Sequence, residues 1–156
     1  MSLLIGRYRG LSMNKIKRNK TDKAFSDAVR MAADYYCQAT NKHSPPPFDY
    51  GQMDCAHNIS RRHRATRWHP MNAVCLSRGE HMKQTDDPYR HCEFMRQYFG
   101  ESCQLMRELA NSMMKITKKD EELIFKHYKS EIQRIIKLRD NGVMGKIELE
   151  VPEILL

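Results

Sequence analysis

The residues best equipped for chemistry lie in one stretch, Asp54-Cys55-Ala56-His57-Asn58-Ile59-Ser60-Arg61-Arg62-His63-Arg64-Ala65-Thr66-Arg67-Trp68-His69. From Cys55 to Gly79 the chain holds five Arg and three His, with no Asp, Glu or Lys. A solvated face mixes both signs, so a one-sign run of this length asks for an anionic partner. The planar guanidinium fork suits phosphate oxygens better than a lysine point charge does. His57 opens the run after a short apolar stretch, and an imidazole of pKa about 6.5 can take a proton from water near neutral pH. One divalent cation beside it can polarise a phosphodiester and neutralise the leaving oxygen. The chemistry these types suggest is phosphodiester hydrolysis, with His57 as base and arginines gripping the backbone around it.

The totals bound this idea. A chain of 156 residues is one domain, long enough for a real core. A net charge of +8 and a pI near 9.3 point toward nucleic acid. Composition alone leaves a merely basic soluble protein equally open. Met1 to Ile5 is too short for a signal core and is followed by Arg7 and Arg9. No run approaches a transmembrane length, so no membrane association is expected. Five Cys at irregular spacing argue against a disulfide framework and for a reducing, cytoplasmic setting.

Several elements must position these residues. Residues 1–20 carry Arg7, Arg9, Lys15, Lys17, Arg18 and Lys20 and no acid, a basic arm suited to loose phosphate contact. From Thr21 a helix is predicted, with Ala24, Phe25, Ala28, Val29 and Ala32 as its apolar stripe and Asp22 at its positive end. Tyr35-Tyr36-Cys37 reads as strand-like. Asn41 to Pro47 reads as an extended surface loop, its prolines disfavouring helix. Tyr50 to Ile59 reads as a strand with Met53, Cys55, His57 and Ile59 on one side, which puts Asp54 on the other. Met71 to Leu76 is a second strand that can pair with it antiparallel, leaving the arginine loop between them. A loop of that length needs a reason, and phosphate grip is one.

A short helix is expected near Arg78–Gln84. Asp87 and Pro88 read as the cap and first turn of another, with Tyr89, Cys92, Phe94 or Met95, and Phe99 inward and Gly100 as its stop. Ser102 to Met114 shows helical period through Leu105, Met106, Leu109 and Met113. Thr117 to Asp120 is a capping-box start for the longest helix, whose stripe is Leu123, Ile124, Tyr128, Ile132, Ile135 and Ile136, ending at Asp140-Asn141-Gly142. Lys146 to Leu156 either docks as an edge strand or stays loose. The reading is an α+β chain: an arm (1–20), a main domain (21–142) whose C-terminal half is mainly helical, and a tail (143–156).

The run Ala56-His57-Asn58-Ile59-Ser60-Arg61-Arg62-His63-Arg64-Ala65-Thr66-Arg67-Trp68, followed by Asn72 and Cys75, resembles the signature of the phage NinG (Rap) recombination nucleases. Those carry Gly-His-Phe-Ile-Ser-Arg-Arg…Ala-Thr-Arg-Trp…Asn…Cys on an HNH-like core. Thr21 to Arg30 is similar to the family's opening helix and Tyr98-Phe99-Gly100 to its Tyr-Gly, so the resemblance covers about residues 21–139. It implies a small ββα-metal core and one catalytic Mg²⁺ or Mn²⁺. It also implies a phage-encoded DNA endonuclease acting on branched recombination intermediates in the host cytoplasm. A homodimer and further protein partners stay open.

Departures from the family pattern are as informative. Its members hold structural zinc with two Cys-x-x-Cys pairs. Here Cys37 is followed by Thr40, and Cys75 by Arg78, so the expectation is no structural zinc and two ordinary buried thiols. The family's helix ligand falls at Gly79, which has no side chain. His81, two residues on, points roughly 200° away on a regular helix and serves only if the preceding turn is longer. His81 and Asp54 are the candidate metal ligands, and His57 and Asn72 the candidate catalytic pair, with Asn72 also bracing the loop through its backbone. Arg61, Arg62, Arg64, Arg67 and Arg78 are assigned to DNA, an internal brace being the alternative for Arg61 and Arg67. Trp68 is read as a core anchor under the loop, and His63, His69 and His91 as surface or DNA-contact residues. Two other classes stand beside the nuclease: a DNA-binding protein that kept the scaffold without catalysis, and an interaction protein using its helical half.

Overall fold

The computed structural model describes residues 16–156; the greater part of the expected basic arm lies outside the described residues. Among them are six helices and one two-stranded antiparallel sheet, an α+β arrangement that is mostly helical. No helix is long and apolar enough to cross a membrane.

Helix α1 (Lys20–Ala32) starts at a capping box in which Asn19 and Asp22 satisfy each other's backbone N–H. All five residues of its expected stripe are buried. The longest helix, α6 (Lys118–Asp140), starts at the expected Thr117–Asp120 capping box and stops at Asn141. The two run side by side in the same direction. Asn19 and Lys20 bond Glu121 and Glu122 at one end, and Arg139 reaches the carbonyls of Met31 and Ala32 at the other. Between them Phe25 meets Tyr128 edge-on at 4.9 Å, in a core shared with Trp68 and Ile124. Each aromatic side chain enclosed there contributes about 2–3 kcal/mol.

The expected strand pair forms as β1 (Met53–His57) and β2 (Ala73–Ser77), in register from Met53 opposite Ser77 to His57 opposite Ala73. All of β2 is buried. On β1 the faces do not alternate as expected: Met53 and Ala56, three apart, share one core with Val74 and Leu76.

Between the strands lie a single-turn helix, α2 (Arg64–Arg67), and a 3₁₀ turn (Pro70–Asn72) capped by His69. Helix α3 (Arg78–Asp86) follows β2 directly, with Ser77 as its N-cap. Helix α4 (Pro88–Phe99), capped by Asp87 and stopped at Gly100, and α5 (Ser102–Ala110) complete the set.

Other expectations are corrected. Tyr35-Tyr36-Cys37 is a turn, because Asp34 and Tyr35 take left-handed φ values that end α1; a lone bridge joins Tyr36 to His43. Tyr89 and Leu105 face solvent, as do Cys92 and Leu123, because the helices that carry them cover the core on one side only, and the helix expected to run to Met114 ends at Ala110, leaving Met113 exposed beyond it. Met95 and Met106 fill the positions those stripes were meant to fill. The tail docks without forming a strand: Ile147 donates to the Ala32 carbonyl, and Leu155 is buried in the α1–α6 core. Cys37 and Cys75 are free, buried in one core, and joined through Gln38, whose N–H donates to the Cys75 carbonyl.

Candidate active-site pocket

The arginine loop is held by one buried carboxylate. Asp22 accepts from Arg67 Nε at 2.8 Å, Arg67 Nη2 at 2.5 Å, Trp68 Nε1 at 3.0 Å and the Asn19 backbone N–H at 3.0 Å. Burial alone would raise this carboxyl, but the hydrogen bonds from Arg67, Asn19 and Trp68 outweigh it and hold it below the usual carboxylate value. Arg67 is 5% exposed, so its assignment to phosphate contact is corrected: it is an internal brace. Arg64 is likewise drawn inward, pairing with Glu121 at 2.6 Å and lying 5.2 Å from the Trp68 ring centre. Trp68 is fully enclosed, as a core anchor should be. Tyr128 donates its hydroxyl to the Trp68 carbonyl.

Asn72 closes the other side of the loop. Its Oδ1 accepts from Ile59 N–H at 2.7 Å, and its Nδ2 donates to the carbonyls of Ile59 and Thr66. It is fully buried and does not line the pocket described next, so its place is that of a brace. His69 is buried as well, correcting its expected place on the surface. Its Nδ1 accepts from Met71 N–H, and burial pushes its pKa down to about 4.

These braces shape one wall of an open pocket of about 880 Å³. Its lining brings together Asp54, His57 and His81, with Arg18, Arg30, Arg61 and Arg78 around them. Asp54 lines this pocket although the regular register sets it on the other face of β1 from His57: the neighbours Asp54 and Cys55 both line it, so the pocket wraps the strand, and Arg78 and His81 engage the Asp54 carboxylate there. His81 also faces the pocket although α3 begins with no longer turn; its Nδ1 lies 3.0 Å from Asp54 Oδ2. Gly79 leaves open space where a side chain would project.

His57 Nε2 lies 3.0 Å from the carbonyl oxygen of Arg67. A carbonyl can only accept, so the ring carries its proton on Nε2 and its lone pair on Nδ1. Burial lowers the His57 pKa to about 4, the Arg67 carbonyl and then the Arg61 charge being smaller influences of opposite sign. The ring is neutral at pH 7. Cys55, beside it, stays a thiol, since burial pushes its pKa up to about 12.

Asp54 is held by Arg78 through both oxygens, Nε to Oδ2 at 2.7 Å and Nη2 to Oδ1 at 2.9 Å. Burial would raise its carboxyl, but Arg78 and His81 together lower it. Asp54 and His81 are the pair that could hold a divalent ion. A carboxylate can only accept, so the 3.0 Å contact puts a proton on His81 Nδ1; an ion held by both residues would replace that proton or bind His81 through Nε2. No group of three or more His, Cys, Asp or Glu that could hold a metal occurs among the described residues. A pair of this kind suits an ion that keeps several waters and takes a substrate phosphate.

Sequence reasoning missed the second wall. Arg18, Asp22, Ser26 and Arg30 fall at four-residue intervals, a polar file along and just ahead of α1, and all four line the pocket. The spacing was visible, but a polar file opposite an apolar stripe ordinarily faces water. Of the loop cations, Arg61 reaches the pocket, Arg62 is exposed outside it, and His63 touches the Ala110 carbonyl. His91 bonds Gln84 and is half-buried, away from the surface contact expected of it. Scanned against protein-family models, curated proteins and solved structures, the chain matches none.

Proposed function

We propose that the chain is a divalent-metal-dependent DNA endonuclease of the NinG-like, HNH type, with β1, β2 and α3 as its ββα-metal unit. The observation that carries this is one pocket holding a neutral His57 with a defined lone pair, the Asp54–His81 pair and four arginines. Four guanidinium groups outnumber the carboxylates of Asp22 and Asp54, together with the Asp27 that pairs with Arg30, and leave the pocket cationic, as a phosphodiester backbone requires.

Asp54 and His81 would hold Mg²⁺ or Mn²⁺, which when bound supplies Lewis-acid polarisation of the scissile phosphate and neutralises the leaving oxygen. His57 Nδ1 takes the proton of the attacking water. The Arg67 carbonyl keeps Nε2–H in place and disperses the positive charge the ring then gains. The low basicity of a buried imidazole is relieved as the phosphate arrives, because a neighbouring anion favours the charged ring. Arg61 from the loop and Arg18 from the α1 side grip phosphate oxygens from opposite walls, while Arg30, tied to Asp27 and the Met53 carbonyl, adds its charge from behind. Arg62 makes an outer contact, and Asn72, Arg64 and Arg67 keep the loop in shape. Residue-level similarity to the NinG signature adds branched recombination intermediates as the substrate class.

The test is cleavage of branched and linear DNA in Mg²⁺ or Mn²⁺ by wild type and His57→Ala, with folding checked by circular dichroism. Loss of a proton acceptor at this step costs on the order of 10²–10⁴-fold in rate. Equal cutting by both proteins would remove His57 from the mechanism. Salt-sensitive binding with no cleavage in any divalent metal would select a DNA-binding protein instead.

A further inference from the structure

We infer that Arg78 is a latch on the metal-binding carboxylate, and that it couples uptake of the divalent ion to arrival of the DNA backbone. The inference rests on the assignment of Asp54 and His81 as the ion's holders. Both oxygens of Asp54 are engaged by the Arg78 fork, and Oδ2 also meets His81. A dication that takes Asp54 must displace the guanidinium, since the two compete for the same lone pairs.

The latch can move. The Arg78 side chain is 52% exposed, and it sits at the first turn of α3 on the rim of the pocket. Asp54 is its one side-chain partner among the described residues. An incoming phosphodiester offers two anionic oxygens that the planar guanidinium fork takes bidentately, as it takes the carboxylate. Phosphate therefore draws Arg78 off Asp54 and lowers the positive field that Arg18, Arg30 and Arg61 set against a dication. Both effects make the ion bind better when DNA is present, and by reciprocity DNA binds better when the ion is present.

The experiment measures Mn²⁺ binding by electron paramagnetic resonance on the full chain, with and without a phosphorothioate DNA that resists cutting. Wild type, Arg78→Gln and Asp54→Asn are compared. Without DNA, Arg78→Gln should bind Mn²⁺ about tenfold more tightly than wild type, the size of effect expected from removing one half-exposed bidentate charge pair. DNA should tighten Mn²⁺ binding to wild type and do so much less for Arg78→Gln. Asp54→Asn should bind weakly in every condition. If Arg78→Gln binds no more tightly than wild type while Asp54→Asn abolishes binding, the metal pair stands and the latch is overturned. If Asp54→Asn binds Mn²⁺ like wild type, the metal pair itself is wrong and the latch goes with it.

Discussion

The buried pair of Asp22 and Arg67 separates two readings of the arginine loop by measurement. Asp22 serves four donors, and both partners are nearly solvent-free, with side chains 4% and 7% exposed. Removing one partner of such a pair strands the other charge, at a cost of about 3–5 kcal/mol. Asp22→Ala also orphans the Trp68 indole N–H, so it belongs at the upper end of that range, and Arg67→Ala nearer the lower end. The double variant has no charge left to strand, so the two effects should fall short of additive by about 2 kcal/mol. Urea denaturation followed by circular dichroism gives all three stabilities. Trp68, the single tryptophan of the chain, reports locally on the same contact. A DNA-binding arm completes the test. At a temperature where the variants remain folded, Arg67→Ala should keep the salt dependence of binding, whereas Arg61→Gln and Arg18→Gln, which line the pocket, should each lower its slope by about 1. If Arg67→Ala changes stability by less than about 0.5 kcal/mol and lowers the slope by one, Arg67 faces phosphate and the account of the loop fails.

Acid should weaken the fold through His57 and His69. His57 and His69 both have pKa values near 4 in the folded protein, against about 6.5 unfolded. The unfolded chain therefore binds more protons between these values, and stability present above pH 6.5 drains away as pH falls toward 4. From pH 7 to pH 5 the loss is about 2 kcal/mol for each, and His69→Asn, whose Oδ1 can still accept from Met71 N–H, should remove about half of the combined slope; an unchanged slope in that variant would refute burial as the cause. Gly79→Ala should stabilise the protein by about 0.4–1 kcal/mol, since the added Cβ meets open space and restricts the unfolded chain, and thermal unfolding that shows a loss would contradict the open space.

Local signals were readable from the sequence wherever one short segment determined the outcome. Capping at Asp87 and Thr117, the α1 stripe, the hairpin and the short helix after it all follow from neighbours within a turn or two. The site was half legible. His57 and the arginine run could be picked out, but the role of each arginine depends on acids far away: Asp22 for Arg67, Glu121 for Arg64, Asp54 for Arg78. Residue type does not distinguish a guanidinium that grips phosphate from one that braces a loop; burial does. That Asp54 meets the same pocket as His57 was not legible because the pocket takes residues from both faces of β1, and the α1 polar file was missed because no local rule says which surface helix faces a cleft. The helical stripes failed at Tyr89, Leu105 and Leu123 because apolar periodicity fixes an axis of burial only when both sides of the stripe meet a partner.

The bonds from α6 to the arginine loop also set the order in which the molecule can be completed during synthesis. Glu121 holds Asn19 and Arg64, and Tyr128 holds Trp68, across sequence separations of 57 to 102 residues. Closing contacts that distant is late and slow compared with forming local turns. A nascent chain that has released the hairpin and α3 from the ribosome, but not yet α6, has every pocket residue and lacks the scaffold that shapes the loop. Truncation before residue 118 would thus yield a sequence complete in its chemistry and unable to assemble it. The last quarter of the chain, which lines none of the pocket, would act as the checkpoint for its maturation.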